Sequence, residues 1–161
     1  MTTLWSALAG GFVGTLVLST VLRAASELGL TRMDLPFLLG TIVSGDRTRA
    51  KAIGYAMHFV AGVIFALVYL AIFSAIDQDG WWVGGLFGLA HGLFAGTALV
   101  NVLLPVIHPR MGTRFSSAAD RPLLEPPGFM LRNYGRGTPF ATIAAHIAYG
   151  AIVGGFISLA G

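Results

Sequence analysis

The thirty residues from Gly80 to Pro109, GWWVGGLFGLAHGLFAGTALVNVLLPVIHP, contain no Asp, Glu, Lys or Arg. A helix of about 20 predominantly apolar residues crosses the hydrocarbon core of a bilayer, so this segment reads as a membrane span. Three more uncharged stretches accompany it: Met1 to Leu22, Ala52 to Ile76 and Gly137 to Gly161. The whole chain of 161 residues is 55% apolar and 11% charged, against about 25% charged in a soluble domain. So few charges cannot cover a water-facing surface, which excludes the soluble globular, disordered and secreted disulfide-stapled classes. With no cysteine, disulfides, thiolate metal sites and a thiol nucleophile are excluded as well. The expected fold is all-α: a four-helix transmembrane bundle forming a single integral membrane domain over residues 1–161. Its helices are expected at about 4–24, 51–76, 81–107 and 139–160, with loops at about 25–50 and 108–138.

All ten Lys and Arg flank the spans on one side. Arg23, Arg32, Arg47, Arg49 and Lys51 lie between the first and second spans; Arg110, Arg114, Arg121, Arg132 and Arg136 lie between the third and fourth. By the positive-inside rule both loops are cytoplasmic and both termini face outward. Trp5, Trp81 and Trp82 fall at the outer helix ends, where an aromatic belt would place them. The expected location is the bacterial inner (plasma) membrane, with the basic charge orienting the chain and touching anionic membrane lipid rather than nucleic acid. The first apolar stretch has its positive flank after it and none before it, so it reads as an anchor and not as a cleavable signal.

The chain reads as internally duplicated. Gly10-Gly11-Phe12-Val13-Gly14-Thr15 aligns with Gly92-Leu93-Phe94-Ala95-Gly96-Thr97, and His58-Phe59-Val60-Ala61-Gly62 with His146-Ile147-Ala148-Tyr149-Gly150. Each unit is then a two-helix hairpin, and the copies share one orientation about an axis along the membrane normal. In the first loop, Leu35 to Val43 is too short to span and reads as an interfacial or re-entrant segment started by Asp34 and Pro36. In the second, Leu124-Glu125-Pro126-Pro127-Gly128-Phe129-Met130-Leu131-Arg132-Asn133-Tyr134-Gly135-Arg136-Gly137-Thr138-Pro139, running into His146, resembles a recurring pattern in small uncharacterised bacterial four-helix membrane proteins. That resemblance implies a fold and no activity.

Twenty-two glycines, about twice average usage, fall largely at helical spacing. Gly84, Gly88, Gly92 and Gly96 form an i, i+4 stripe on the third helix; Gly54 and Gly62 lie with His58 on the second, and Gly150 and Gly154 with His146 on the fourth. In lipid, where apolar side chains gain nothing by meeting each other, small faces that allow close backbone approach define helix contacts. These stripes are expected to point inward or toward a partner. His58 lies seven residues beyond Lys51, His146 seven beyond Pro139 and Asn101 seven before His108. At 1.5 Å per residue each sits about 10 Å inside the same boundary. Ser19 is placed in that layer too, with His91 about 5 Å above it.

Two neutral imidazoles at equal depth on different helices could ligate haem b axially, with His58 and His146 as the pair and His91 and Asn101 as lesser candidates. A divalent metal on His58, His91 and His146 is a variant weakened by the lack of interior carboxylates. The simpler reading is interhelical hydrogen bonding, worth on the order of 0.6 kcal/mol per contact. Pro105 is expected to kink or end the third helix and to free a carbonyl near Asn101. No nucleophile elbow, HExxH, phosphate-binding glycine loop or helix-spaced carboxylate pair is present, so an enzyme is the less favoured class. The leading expectation is a non-enzymatic structural or accessory subunit of a homo-oligomer or larger membrane protein complex. The rivals are a haem- or pigment-binding protein and a small oligomeric transporter or channel.

Overall fold

The computed structural model describes residues 3–112 and 124–160. Arg114 and Arg121 of the second basic loop lie outside the described residues. Helix α1 spans Thr3–Glu27, α2 Leu35–Gly40 and α3 Arg47–Ile76. Helix α4, Trp81–Phe94, passes without a break into a π-helical segment, Ala95–Leu103, and a last α-helical turn, α5, Leu104–Ile107. A short 3₁₀ segment, Phe129–Tyr134, precedes α6, Thr138–Ser158. Four helices are therefore long and apolar enough to cross a membrane: Thr3–Glu27, Arg47–Ile76, Trp81–Ile107 and Thr138–Ser158. The long loops lie at one end of these helices, and the Asp77–Gly80 turn at the other.

Local chemistry moves several helix ends from where hydropathy alone puts them. The first span runs on to Glu27 because Arg23 and Glu27 pair at 2.9 Å across its final turn. Helix α3 begins at Arg47, ahead of the uncharged run, because the Asp46 carboxylate accepts the Arg49 backbone N–H at 2.8 Å and caps it. Asp34 caps α2 in the same way, accepting from the Phe37 N–H at 3.1 Å. The segment expected over Leu35 to Val43 is thus a helix of six residues. It lies flat against the start of α3, so closely that a Cβ on Gly40 would overlap the Ala50 carbonyl and one on Gly54 that of Pro36. Gly54 therefore serves the α2 contact and not a contact between spans. Lys51 closes this corner by pairing with Asp34 at 2.7 Å.

Three seams hold the four long helices, each with small residues on at least one side, which lets the backbones approach closely. On the α4–α6 seam, Gly84 and Gly88 face Gly150 and Gly154 with backbone against backbone, and Gly92 meets the His146 side chain. On the α1–α3 seam, Gly11 lies under Ala66 and Gly62 under Thr15. On the α1–α6 seam, Gly10 faces Phe156 and Gly14 faces Tyr149. Val60, Ile64 and Val68 on α3, Phe12 and Leu16 on α1, and Leu86 and Leu93 on α4 point outward.

The fourth side differs. Helices α3 and α4 are spaced by rings, Phe87 packing edge to face on Phe73 at a centroid distance of 5.2 Å and on Tyr69 at 5.8 Å, with Tyr69 and Phe73 tilted against each other at 5.7 Å. This wedge fills the half of the interface nearer the Asp77–Gly80 turn, and the half nearer the loops has no equivalent.

The third span continues past Pro105 by two residues and ends at Ile107. The chain widens to π geometry over the turns before Pro105, which relieves the clash between the proline ring and the preceding turn. The change of register turns the end of the glycine stripe: Gly96 meets Met130 of the 3₁₀ segment, while Gly84, Gly88 and Gly92 meet α6.

Candidate functional site

Where the aromatic wedge stops, the separation of α3 and α4 leaves a cavity of about 280 Å³. Met57, Ala61 and Phe65 of α3 form one wall, and Leu99, Val100 and Leu103 of the π segment form the other. Leu38 and Leu39 of α2 lie at its loop end, and Tyr149 and His146 of α6 form its back. Among the described residues no Asp, Glu, Lys or Arg lines it.

The polar atoms around this space are few and incompletely bonded. His58 Nε2, Thr142 Oγ1 and Ser19 Oγ are buried with no hydrogen-bond partner among the described residues. His58 and Thr142 line the cavity itself. Ser19 lines an adjoining cleft of about 200 Å³ beside Arg23, Lys51 and Tyr55, and His58 stands between the two spaces. Three orphaned groups around one interior region are unusual, because buried polar atoms in folded proteins nearly all find partners.

The backbone is also irregular on the same walls. The π segment supplies one side, and single π turns recur at functional sites. Leu131, which lines the cavity, and its neighbour Met130 both have left-handed backbone, with φ of 60° and 53°. Side chains other than glycine tolerate that conformation at a cost of about 1–3 kcal/mol, and such strain gathers at ligand and active sites. The sequence carries no legible signal for either feature, since neither Met nor Leu marks a left-handed turn.

The histidines expected in the layer are brought together differently from their predicted depths. His146 packs edge to face on His91, with ring centroids 4.8 Å apart, although His91 was placed a turn above it. The arithmetic treated the helices as parallel to one axis, and the close α4–α6 glycine seam brings the two rings together. His91 Nδ1 meets the Tyr69 hydroxyl at 3.3 Å, and His146 Nδ1 meets the Thr142 carbonyl oxygen at 2.8 Å. Asn101 does not join the group. It is exposed, and its amide donates to the carbonyls of Gly96 and Thr97 at 3.0 Å each, on its own helix. The widened turn presents those acceptors beside it. Among the described residues, no group of three or more His, Cys, Asp or Glu is placed to hold a metal ion, so the divalent-metal variant on His58, His91 and His146 lacks a converging ligand set.

The loops close the other end of the bundle with bonds that sequence reading missed. His108 is buried; its Nε2 lies 3.1 Å from the Leu38 carbonyl oxygen and 3.2 Å from Thr41 Oγ1, while its Nδ1 accepts the Arg110 backbone N–H at 3.1 Å. Arg110 also donates to the Thr41 carbonyl. Tyr134 donates to the Glu125 carbonyl at 2.7 Å, and burial with the Glu125 charge pushes its phenol up to about 12.

No curated protein and no solved structure matches this chain. The model of a family of unknown function, DUF6789, matches residues 1–119, a region that covers α1 to α5 and stops short of the Leu124–Pro139 stretch. Because that match takes in well over half of its residues, the chain belongs to this family of unknown function.

Proposed function

We propose that this protein is a non-enzymatic accessory protein of the membrane that works by holding a small, mostly apolar molecule in the cavity between α3 and α4. The observation that carries this reading is the coincidence of an uncharged cavity with orphaned buried polar atoms on its walls. Ligand sites are concave, mainly apolar and furnished with a few polar groups that fix orientation. The four spans, packed through three glycine seams, form a scaffold around that space, and those seams are satisfied within one chain. We place the protein in a bacterial inner membrane, both basic loops cytoplasmic and both termini outside, on the distribution of its ten Lys and Arg. The two hairpins read as copies of one unit, and His58 and His146, equivalent under that alignment, both line the cavity.

The rival functions receive less support from the geometry. A bis-histidine haem b between His58 and His146 would have to seat a flat tetrapyrrole against a back wall occupied by the Tyr149 ring and the edge-to-face pair of His91 and His146. A transport path would have to pass the Tyr69, Phe73 and Phe87 wedge, which packs the space beyond the cavity.

The test is native mass spectrometry of the full chain released from membranes under mild conditions. A lipophilic adduct at one per chain is expected, and Ala61→Trp, which fills the cavity from α3, should remove it while the helical circular-dichroism spectrum is retained. An adduct-free native protein, or an adduct unchanged by Ala61→Trp, would count against the reading.

A further inference from the structure

The head group of the bound molecule can be deduced from the hydrogen-bonding state of the groups that would meet it, an inference resting on the cavity reading above. His146 is 9% exposed and lines the cavity, and its Nδ1 faces the Thr142 carbonyl oxygen at 2.8 Å. A carbonyl oxygen only accepts, so Nδ1 carries the proton, and Nε2 of the neutral ring is left with a lone pair and no proton. Among the described residues no hydrogen bond to that Nε2 is present, and unlike His58 Nε2 and Thr142 Oγ1 it is not fully shut off from the cavity space. His91 meets the ring edge to face instead, its own Nδ1 engaged by Tyr69.

Thr142 sits one turn back on the same face of α6. Helical threonines in this chain normally donate to the carbonyl four residues earlier: Thr15 to Gly11 at 2.6 Å, Thr20 to Leu16 at 2.8 Å and Thr97 to Leu93 at 2.6 Å. Thr142 Oγ1 makes no such bond and is buried. Adjacent positions on one wall therefore present an imidazole nitrogen that can only accept and a hydroxyl with a proton to give. A hydroxyl donates to the first and accepts from the second through a single oxygen.

We infer that the cavity takes a neutral lipophile headed by a hydroxyl group, a long-chain alcohol or phenol, whose O–H donates to His146 Nε2 while its oxygen accepts from Thr142. A charged head would enter a space with no charged side chain on its walls among the described residues, and burying an ion without a partner is far more costly than these hydrogen bonds could offset. A ketone, ester or ether head accepts only, and would leave His146 Nε2 without a donor. The apolar body would lie along Phe65, Leu99 and Leu103.

The experiment uses the full chain in nanodiscs, labelled with ¹⁵N-histidine and titrated with 4-dodecylphenol or with its O-methyl ether, empty nanodiscs serving as the partition control. The phenol is expected to bind about tenfold more tightly than the ether or better, the discrimination of one satisfied buried hydrogen bond. The phenol alone should shift the His146 Nε2 resonance. Thr142→Val, close in shape to threonine, should weaken binding of both probes and leave the preference in place, whereas His146→Phe should abolish the preference. Equal affinity for both probes with an unmoved Nε2 resonance would overturn the hydroxyl assignment and leave the cavity reading standing. Binding of neither probe above the empty-disc level would overturn both.

Discussion

A Cβ added to Gly88 would overlap the backbone carbonyl oxygen of His146, so the approach of α4 to α6 that positions the histidine depends on the absence of a side chain at residue 88. Gly85, three residues earlier on a neighbouring face, has nothing nearer to such a Cβ than Ile147 Cγ2 at 3.9 Å. Gly88→Ala should therefore lower stability by about 1–3 kcal/mol, the range for overpacking a close contact. Gly85→Ala should be neutral or slightly stabilising, because alanine is the better helix former. Thermal unfolding of the two variants in one detergent checks the pair, and equal loss in both would mean that the seam is not where the backbone contacts place it.

Tyr149 donates from α6 to the Gly62 carbonyl on α3 at 2.5 Å, joining two helices that have little other contact. Tyr149→Phe keeps the ring against Tyr69 and removes only that bond. The expected loss is about 0.6 kcal/mol, with about 1.7 as the upper end for a hydrogen bond between membrane helices. A larger loss, measured by unfolding in denaturing detergent, would show that the hydroxyl holds the cavity open rather than tying its edge.

His108 gives the loop end a pH dependence of defined sign. Its Nδ1 accepts the Arg110 N–H, so Nε2–H donates toward Leu38, and a second proton would have to enter at Nδ1, against that N–H. Burial holds its pKa below the ordinary imidazole value of 6.5, with the Arg110 charge acting in the same direction and the Leu38 carbonyl against it. The unfolded loop therefore takes up protons before the folded one. The stabilising contribution is complete well above pH 6.5 and is lost as pH falls below it. Amide exchange at Leu38 to Ile42 should accelerate on acidification through that window, and His108→Gln should remove much of the dependence.

The spans were legible because charge is absent from them and gathered between them, and the seams because Gly84, Gly88, Gly150 and Gly154 keep helical spacing. The cavity was not legible. It depends on Tyr69, Phe73 and Phe87 spacing α3 from α4 in one half only, and aromatic residues at those positions read equally well as lipid-facing. Asn101 entered the layer by depth alone, counted at 1.5 Å per residue, which does not say which way a side chain points; in the π segment its amide bonds to its own helix. The pairing of His91 with His146 follows from backbone proximity at Gly88 and Gly92, which depth counted along isolated helices does not contain.

Orientation is checked independently of the cavity. A reporter fused after Gly161 should register outside the cytoplasm and one inserted at Ser117 inside it, since all ten basic residues flank the spans on one side. The reverse pattern would invert the bundle and leave its packing unchanged.

The most direct test of the central claim is site-specific photocrosslinking in native membranes, with photo-leucine at Leu99 on the cavity wall and at Val68 on the outward face of α3. If the cavity holds a dedicated lipophile, the Leu99 position should yield one discrete small-molecule adduct, absent at Val68 and displaced by excess 4-dodecylphenol. The same mixture of bulk phospholipid adducts at both positions, or crosslinks at Leu99 to another protein chain, would contradict the account.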